Sequence, residues 1–230
     1  MHFYGAVIFG VAAVVSAVLT GKHADASTNE ATNYLWSFTV LLLGKFISYA
    51  ASAWLHLYPF SSTFWVTEAL KADLLGVACS VGFTCLAFFP VWSPESLQHF
   101  QLTSAFLAAN YACIQWTFSG HVGLRTPQNR SEVPRNVFVG LQFADIVVKM
   151  GTATEFSPLF LLTMTAYVTS FILAGPVTNS HEDEPIVALF FWHKKQRNSL
   201  HEDFHAVLAV ADLLVVKLAW EFIQVKVGGG

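Results

Sequence analysis

The chain has 230 residues, of which 54% are hydrophobic, 15% aromatic and only 12% charged, whereas a soluble domain carries about 25% charged residues. The mean hydropathy of +0.52 also leaves too few polar side chains to cover a soluble globule. The 12 Lys and Arg residues against 15 Asp and Glu residues disfavour a nucleic-acid-binding surface, and the position of all three cysteines within apolar runs disfavours a disulfide scaffold.

Seven apolar segments along the chain predict membrane-spanning helices, each of which needs about 20 mostly apolar residues. The first segment is uncharged and lacks the basic start and the cleavage site of a signal peptide, so it is interpreted as a span. The fifth is the shortest and contains Asp145, which leaves six crossings as an alternative. The predicted spans cover residues 3–19, 35–57, 73–92, 102–120, 136–150, 156–176 and 203–225. The fold class predicted from these segments is all-α: a polytopic membrane protein with one seven-transmembrane helix bundle over residues 1–230.

The basic residues in the loops predict the orientation of the bundle. Seven Lys or Arg residues follow spans two, four and six, and three lie on the opposite side. Cytoplasmic loops are the richer in Lys and Arg, so the N-terminus is expected in the cytoplasm and the C-terminus outside. A short apolar run at residues 185–192, followed by basic residues, predicts a segment on the membrane surface. The organelle and the oligomeric state stay open.

Four ionisable residues fall at one depth in this topology. His56 ends span two, Asp73 opens span three, and His201 and His205 open span seven, all on the cytoplasmic side. Ionisable side chains in membrane helices are costly and are therefore candidates for function. The shared depth predicts that these residues converge.

The convergence is typical of a metal site. His201 and His205 are four residues apart and share one helical face, and His56 supplies a third nitrogen. Three protein ligands and one open position are the arrangement of a catalytic zinc site. Asp73 could hold the water or take its proton, and Ser52 lies on the same helical face as His56. The alternative is that these are interfacial histidines solvated by lipid headgroups.

The segment from His201 to His205 also fits H-E-x-x-H, the signature of metalloproteases in which the glutamate is the general base. Glu202 has a competing explanation, because Ser199 and Glu202 form a capping box at a helix start. No third ligand follows His205 as it would in such a protease, and this favours the site that includes His56.

Further charged residues lie within the predicted spans. Lys45 is 11 residues outward from His56, and Asp212 is 11 residues outward from His201, so the two are expected at similar depth and could form an ion pair. Asp145 is a rival partner for Lys45. Lys217, in the last span, allows a retinal protein as an alternative, although it could instead pair with Glu221 four residues on.

Ser52-x-x-x-His56, Asp73 and His201-x-x-x-His205 occur in an order that resembles the hemolysin III / progestin and adipoQ receptor (PAQR) family. The resemblance implies a seven-helix membrane protein with a cytoplasmic N-terminus and a zinc ion held by three histidines near the cytoplasmic face. It implies that His56, His201 and His205 are the ligands and that Asp73 and Ser52 support a water on the metal. The long charged segment before span seven and the two acidic residues between the histidines depart from the family pattern.

The predicted function follows from a zinc ion at the bilayer edge. Zinc polarises a carbonyl and activates water, which makes a zinc-dependent hydrolase of lipid amides the first hypothesis. The family resemblance makes a ceramide-like membrane lipid the expected substrate. The alternative is a membrane receptor or signalling protein in which zinc is structural, since structural sites have four protein ligands and are closed.

Overall fold

The computed structural model describes residues 2–23, 29–59, 62–88, 94–118, 143–144, 147–178 and 197–228. Over these residues the regular structure is helical and no strand is present, which confirms the all-α class. The helices are α1 (His2–His23), α2 (Asn29–Leu57), α3 (Thr63–Leu86), α4 (Pro94–Phe118), α5 (residues 147–153), α6 (Pro158–Thr178) and α7 (Arg197–Gly228).

The helices do not begin at the limits of the predicted spans. α3 begins at Thr63, about ten residues before the predicted start of span three. Its first turns include the charged residues Glu68 and Lys71, whose side chains bond each other at 2.6 Å, and such an i,i+3 pair stabilises a helix. Of the predicted fifth span, residues 143–144 and 147–150 are described and are helical. Asp145 and the surface segment at residues 185–192 lie outside the described residues.

Helix α2 occupies the centre of the arrangement. It packs against α1, α3 and α7, while α4 packs on α3 and α6 packs on α7. One apolar cluster fills the space between α1 and α2, and includes Phe9, Leu42 and Tyr49. A larger cluster joins α2 and the turn after α3 to α5, α6 and α7, through Leu41, Ala87, Phe88, Met150, Phe160, Val215, Leu218 and Ala219. Side chains on α2 are thereby brought close to those on α1 and α7.

Two glycines allow α2 and α3 to approach closely. A Cβ on Gly44 would lie 2.8 Å from the Phe83 Cβ, and a Cβ on Gly76 would lie 3.1 Å from the Ser48 Cα. Both distances are shorter than ordinary contacts between carbon atoms, about 3.5–4.0 Å. The close approach brings polar side chains on the two helices within hydrogen-bonding distance.

The surface and the interior have an unusual distribution of side chains. Nine large apolar side chains of α1 are exposed: Phe3, Tyr4, Val7, Ile8, Val11, Val14, Val15, Val18 and Leu19. Among the residues whose side chains the structure describes, twelve polar or charged ones are buried: Thr20, Ser37, Thr39, Lys45, Ser52, Ser80, Thr84, Thr103, Asn110, Thr163, Ser170 and Asp212. Among the described helices, two are long and apolar enough to cross a membrane, at residues 2–22 and 31–57. A buried helix of a soluble protein or a signal sequence can have the same length and composition.

Candidate metal centre

Three histidines from three helices meet at one end of the bundle. His2 is the first residue of α1, His56 lies in the last turn of α2, and His205 lies near the start of α7. Each offers one imidazole nitrogen, and these atoms lie within 4.8 Å of one another. The three residues are far apart in sequence, so the packing of α1 and α7 against α2 is what brings them together. We refer to His2, His56 and His205 as the histidine cluster.

His2 lies in contact with both of the other rings. Its ring centroid is 4.7 Å from that of His56, with the ring planes 18° apart. Its centroid is 3.9 Å from that of His205, and those two planes are at 78°. The rings of His56 and His205 are farther apart, with centroids separated by 6.0 Å. His2 is therefore as much a member of the cluster as the two histidines that the sequence motifs identified.

The donor set of the histidine cluster fits a zinc ion. Zn²⁺ binds imidazole nitrogen at about 2.0–2.1 Å, which places the nitrogens of a tetrahedral site about 3.3 Å apart. Nitrogens separated by up to 4.8 Å would have to close by roughly 1.5 Å to reach that geometry. His56 is exposed and the other two rings are half-buried, so rotation of the side chains can provide this movement.

The cluster contains two of the predicted ligands and one that was missed. His56 and His205 come together as the shared depth predicts. A signal for His2 was present, because with a cytoplasmic N-terminus it opens span one on the same side as the other two. His201 lies in α7 one turn before His205, but its side chain is outside the described residues, so its role as a ligand stays a prediction.

Ser52 and Asp73 lie deeper than the histidine cluster. Ser52 is buried and precedes His56 by one turn on α2. The prediction that Asp73 opens its helix is wrong. Asp73 lies ten residues after the start of α3 at Thr63. The two helices run antiparallel, with Gly76 against Ser48, and continuing this register by one turn places Asp73 level with Ser52. A carboxylate and a hydroxyl therefore lie about one turn below the histidines, on neighbouring helices.

A second polar group, which we call the Lys45 cluster, consists of Lys45, Ser80, Tyr167 and Asp212. Lys45 Nζ is 2.7 Å from Asp212 Oδ1, which confirms the predicted pair, and both side chains are almost fully buried. Nζ also donates to Ser80 Oγ at 2.9 Å and to Tyr167 Oη at 3.0 Å. The Tyr167 hydroxyl donates to Asp212 Oδ1 at 2.7 Å. All three ammonium hydrogens of Lys45 thus have an acceptor.

Lys217 occupies a very different environment. Its side chain is 63% exposed and its Nζ is 3.7 Å from Glu221 Oε1, one turn later on α7. This confirms the simple pairing that the sequence allowed. The structure therefore places Lys45, and not Lys217, in the interior of the bundle.

Comparison with known proteins does not assign the chain to a family. No protein-family model matches it, and neither a curated protein nor a solved structure does. The resemblance to the hemolysin III / PAQR family depends on the three sequence motifs alone.

Proposed function

We propose that this chain is a multi-pass membrane protein that binds zinc through histidines at one end of its helix bundle and hydrolyses the amide bond of a ceramide-like lipid. The observation that carries the proposal is the convergence of His2, His56 and His205 from three separate helices. The membrane, the metal and the reaction are supported by different features.

The distribution of side chains supports a lipid environment. Apolar side chains cover the outer face of α1, whereas charged Lys45 and Asp212 lie in the interior. A water-soluble protein gains stability by the opposite arrangement. In lipid, apolar side chains outside and paired polar groups inside are both favourable. The outward face of α1 is accordingly assigned to contact with lipid.

The lengths of the other helices are compatible with several crossings. A helix needs about 20 residues to cross the hydrocarbon core. α3, α4, α6 and α7 contain 24, 25, 21 and 32 residues. Together with α1 and α2 they give six helices of sufficient length among the described residues. Residues 136–150 would supply the seventh crossing of the proposed bundle.

The identity of the ligands determines what the site can do. His2, His56 and His205 would leave one position open on a tetrahedral metal, as would the family-implied set of His56, His201 and His205. An open position permits catalysis. All four histidines together would instead close the site. The structure brings His2 to an end of the bundle where His201 is also a predicted ligand, and a set of all four would favour the second candidate, a receptor or signalling protein with a structural zinc.

The residues around the cluster suit hydrolysis at the bilayer edge. A zinc ion would supply polarisation of the carbonyl and an acidified water. Asp73 would accept the proton, and Ser52 would orient Asp73 or the water by hydrogen bonding. The exposure of His56 leaves access for a lipid headgroup. The amide carbonyl of a lipid lies near the membrane interface, the same depth as the end of a helix.

Zinc content of the purified protein tests the proposal. We expect about one zinc per chain in the wild type and a loss of most of it in His56→Ala and His205→Ala. His23→Ala is the matched control, because His23 ends α1, about 31 Å along the helix from His2. His2→Ala and His201→Ala then distinguish the ligand sets. A well-folded wild type that contains no zinc and takes none up would overturn the metal site.

Hydrolysis requires a separate assay. We expect the zinc-loaded protein in lipid nanodiscs to release fatty acid from a ceramide, and Asp73→Asn to lose this activity while it keeps the metal. A protein that binds zinc through four histidines and hydrolyses no lipid amide would instead support the structural zinc of a receptor.

A further inference from the structure

A cavity of about 90 Å³ lies beside the Lys45 cluster. It is lined by side chains of α2, α3, α6 and α7 together with Phe143. Most of its wall is apolar and comes from Val77, Val81, Phe143, Met164 and Leu208. Along α2, Lys45 is 11 residues from His56, which places the cavity about 16 Å deeper than the histidine cluster. It is therefore a separate site.

Most polar atoms on the cavity wall already have partners. The hydroxyl of Thr84 donates to the Ser80 carbonyl oxygen, and that of Ser170 donates to the Tyr167 carbonyl oxygen. Ser48 differs, because its hydroxyl makes no hydrogen bond to any described residue. Ser80 accepts a bond from Lys45 and retains its own O–H hydrogen. The cavity thus offers two hydroxyl groups within an apolar wall.

The chemistry of this wall selects among ligands. A cation would find no unpaired carboxylate, because Asp212, which also lines the cavity, is paired with Lys45 at 2.7 Å. An anion would find all three ammonium hydrogens bound to protein oxygens. Water in the cavity would need two to four polar partners for each molecule, which the apolar side chains do not supply. A neutral, mostly hydrocarbon ligand with one hydrogen-bonding group fits these constraints.

We propose that the cavity binds a fatty chain that carries a hydroxyl group along its length. The hydroxyl would bond Ser48 and Ser80, and the adjoining methylenes would contact Val77, Met164 and Leu208. A chain that enters from the lipid, with its polar end at the membrane interface, places such a hydroxyl near the depth of Lys45. The proposal rests on the membrane placement of the proposed function but not on its zinc chemistry.

Equilibrium binding to zinc-stripped protein in lipid nanodiscs tests this site without hydrolysis. The probes are radiolabelled 12-hydroxystearoyl ethanolamide and stearoyl ethanolamide, which differ only in the hydroxyl group. We expect the hydroxylated probe to bind three- to tenfold more tightly, the gain from one additional hydrogen bond. Ser48→Ala should remove this difference.

The matched control is Ser37→Ala, the same substitution on the same helix. Ser37 is buried, its hydroxyl donates to the Asn33 carbonyl oxygen at 3.0 Å, and it does not line the cavity. This variant should keep the preference for the hydroxylated probe. Equal affinities for the two probes in the wild type, or a preference that survives Ser48→Ala combined with Ser80→Ala, would overturn the proposal. Because the protein is zinc-free, neither result depends on whether it hydrolyses amides.

Discussion

The histidine cluster and the Lys45 cluster both join α2 to α7, but they satisfy their polar groups in different ways. In the Lys45 cluster a cation and an anion are buried together, and hydroxyls of Ser80 and Tyr167 complete the bonding. In the histidine cluster three like groups converge at a partly exposed end of the bundle. Complementary buried groups hold helices together without a ligand, whereas like groups that converge are typical of a site completed by a metal.

The largest expected effect comes from breaking the Lys45 cluster. Lys45→Met leaves the Asp212 carboxylate buried without its cation, and removing one partner of a buried pair costs about 3–5 kcal/mol. The double variant Lys45→Met with Asp212→Leu should recover much of that loss, because neither charge remains. Chemical denaturation in detergent micelles measures both. A single variant within 1 kcal/mol of the wild type would show that the pair does not stabilise the bundle.

The histidine cluster should contribute to stability only when zinc is bound, whereas the Lys45 cluster contributes without a ligand. Without metal, His56→Ala should change stability by no more than about 0.5 kcal/mol, since the ring is exposed. With free zinc at a hundred times its dissociation constant, the wild type should gain about 2.7 kcal/mol and the variant should gain nothing. Thermal denaturation across a zinc titration measures this difference. An equal gain in His205→Ala would show that zinc binds elsewhere.

The close approach of α2 and α3 supports the Lys45 cluster, because it brings Lys45 Nζ within 2.9 Å of Ser80 Oγ. Gly44→Ala places a methyl group 2.8 Å from the Phe83 Cβ, and the displacement should cost about 1–3 kcal/mol. Gly21→Ala is the control, since a Cβ there has no atom within 4 Å. The midpoint of thermal unfolding should fall for the first variant and stay the same or rise for the second. Equal midpoints would show that the helices separate at little cost.

The sequence predicts pairs of residues better than complete sites. Depth along two helices was enough to identify Asp212 as a candidate partner for Lys45, with Asp145 as a rival, because a buried charge requires an opposite charge at its own level. It could not identify Ser80 and Tyr167 as further partners. Serine and tyrosine occur in apolar helices for many reasons, and only the register between helices shows which of them face Lys45.

The packing between helices, which the sequence does not show, also explains why His2 was missed in the histidine cluster. The motifs identified His56 and His205, while His2 belongs to no motif and depends on how α1 packs. Asp73 was expected to open a helix because apolar composition was taken to mark where the helix begins. α3 instead begins before the charged Glu68–Lys71 pair, so the helix starts about three turns ahead of the uncharged run that marked the predicted span.

The smallest effect is expected at the exposed pair of α7. Lys217 and Glu221 carry the same charges as Lys45 and Asp212, but their charged atoms are 3.7 Å apart instead of 2.7 Å and both side chains are exposed. Such a pair contributes about 0.3–0.5 kcal/mol, so Lys217→Met should leave the unfolding midpoint nearly unchanged. The contrast with Lys45→Met isolates the contribution of burial, because the substitution is identical. If both variants lost the same stability, the environment of the pair would not determine its contribution, and the interior position of Lys45 would need another explanation.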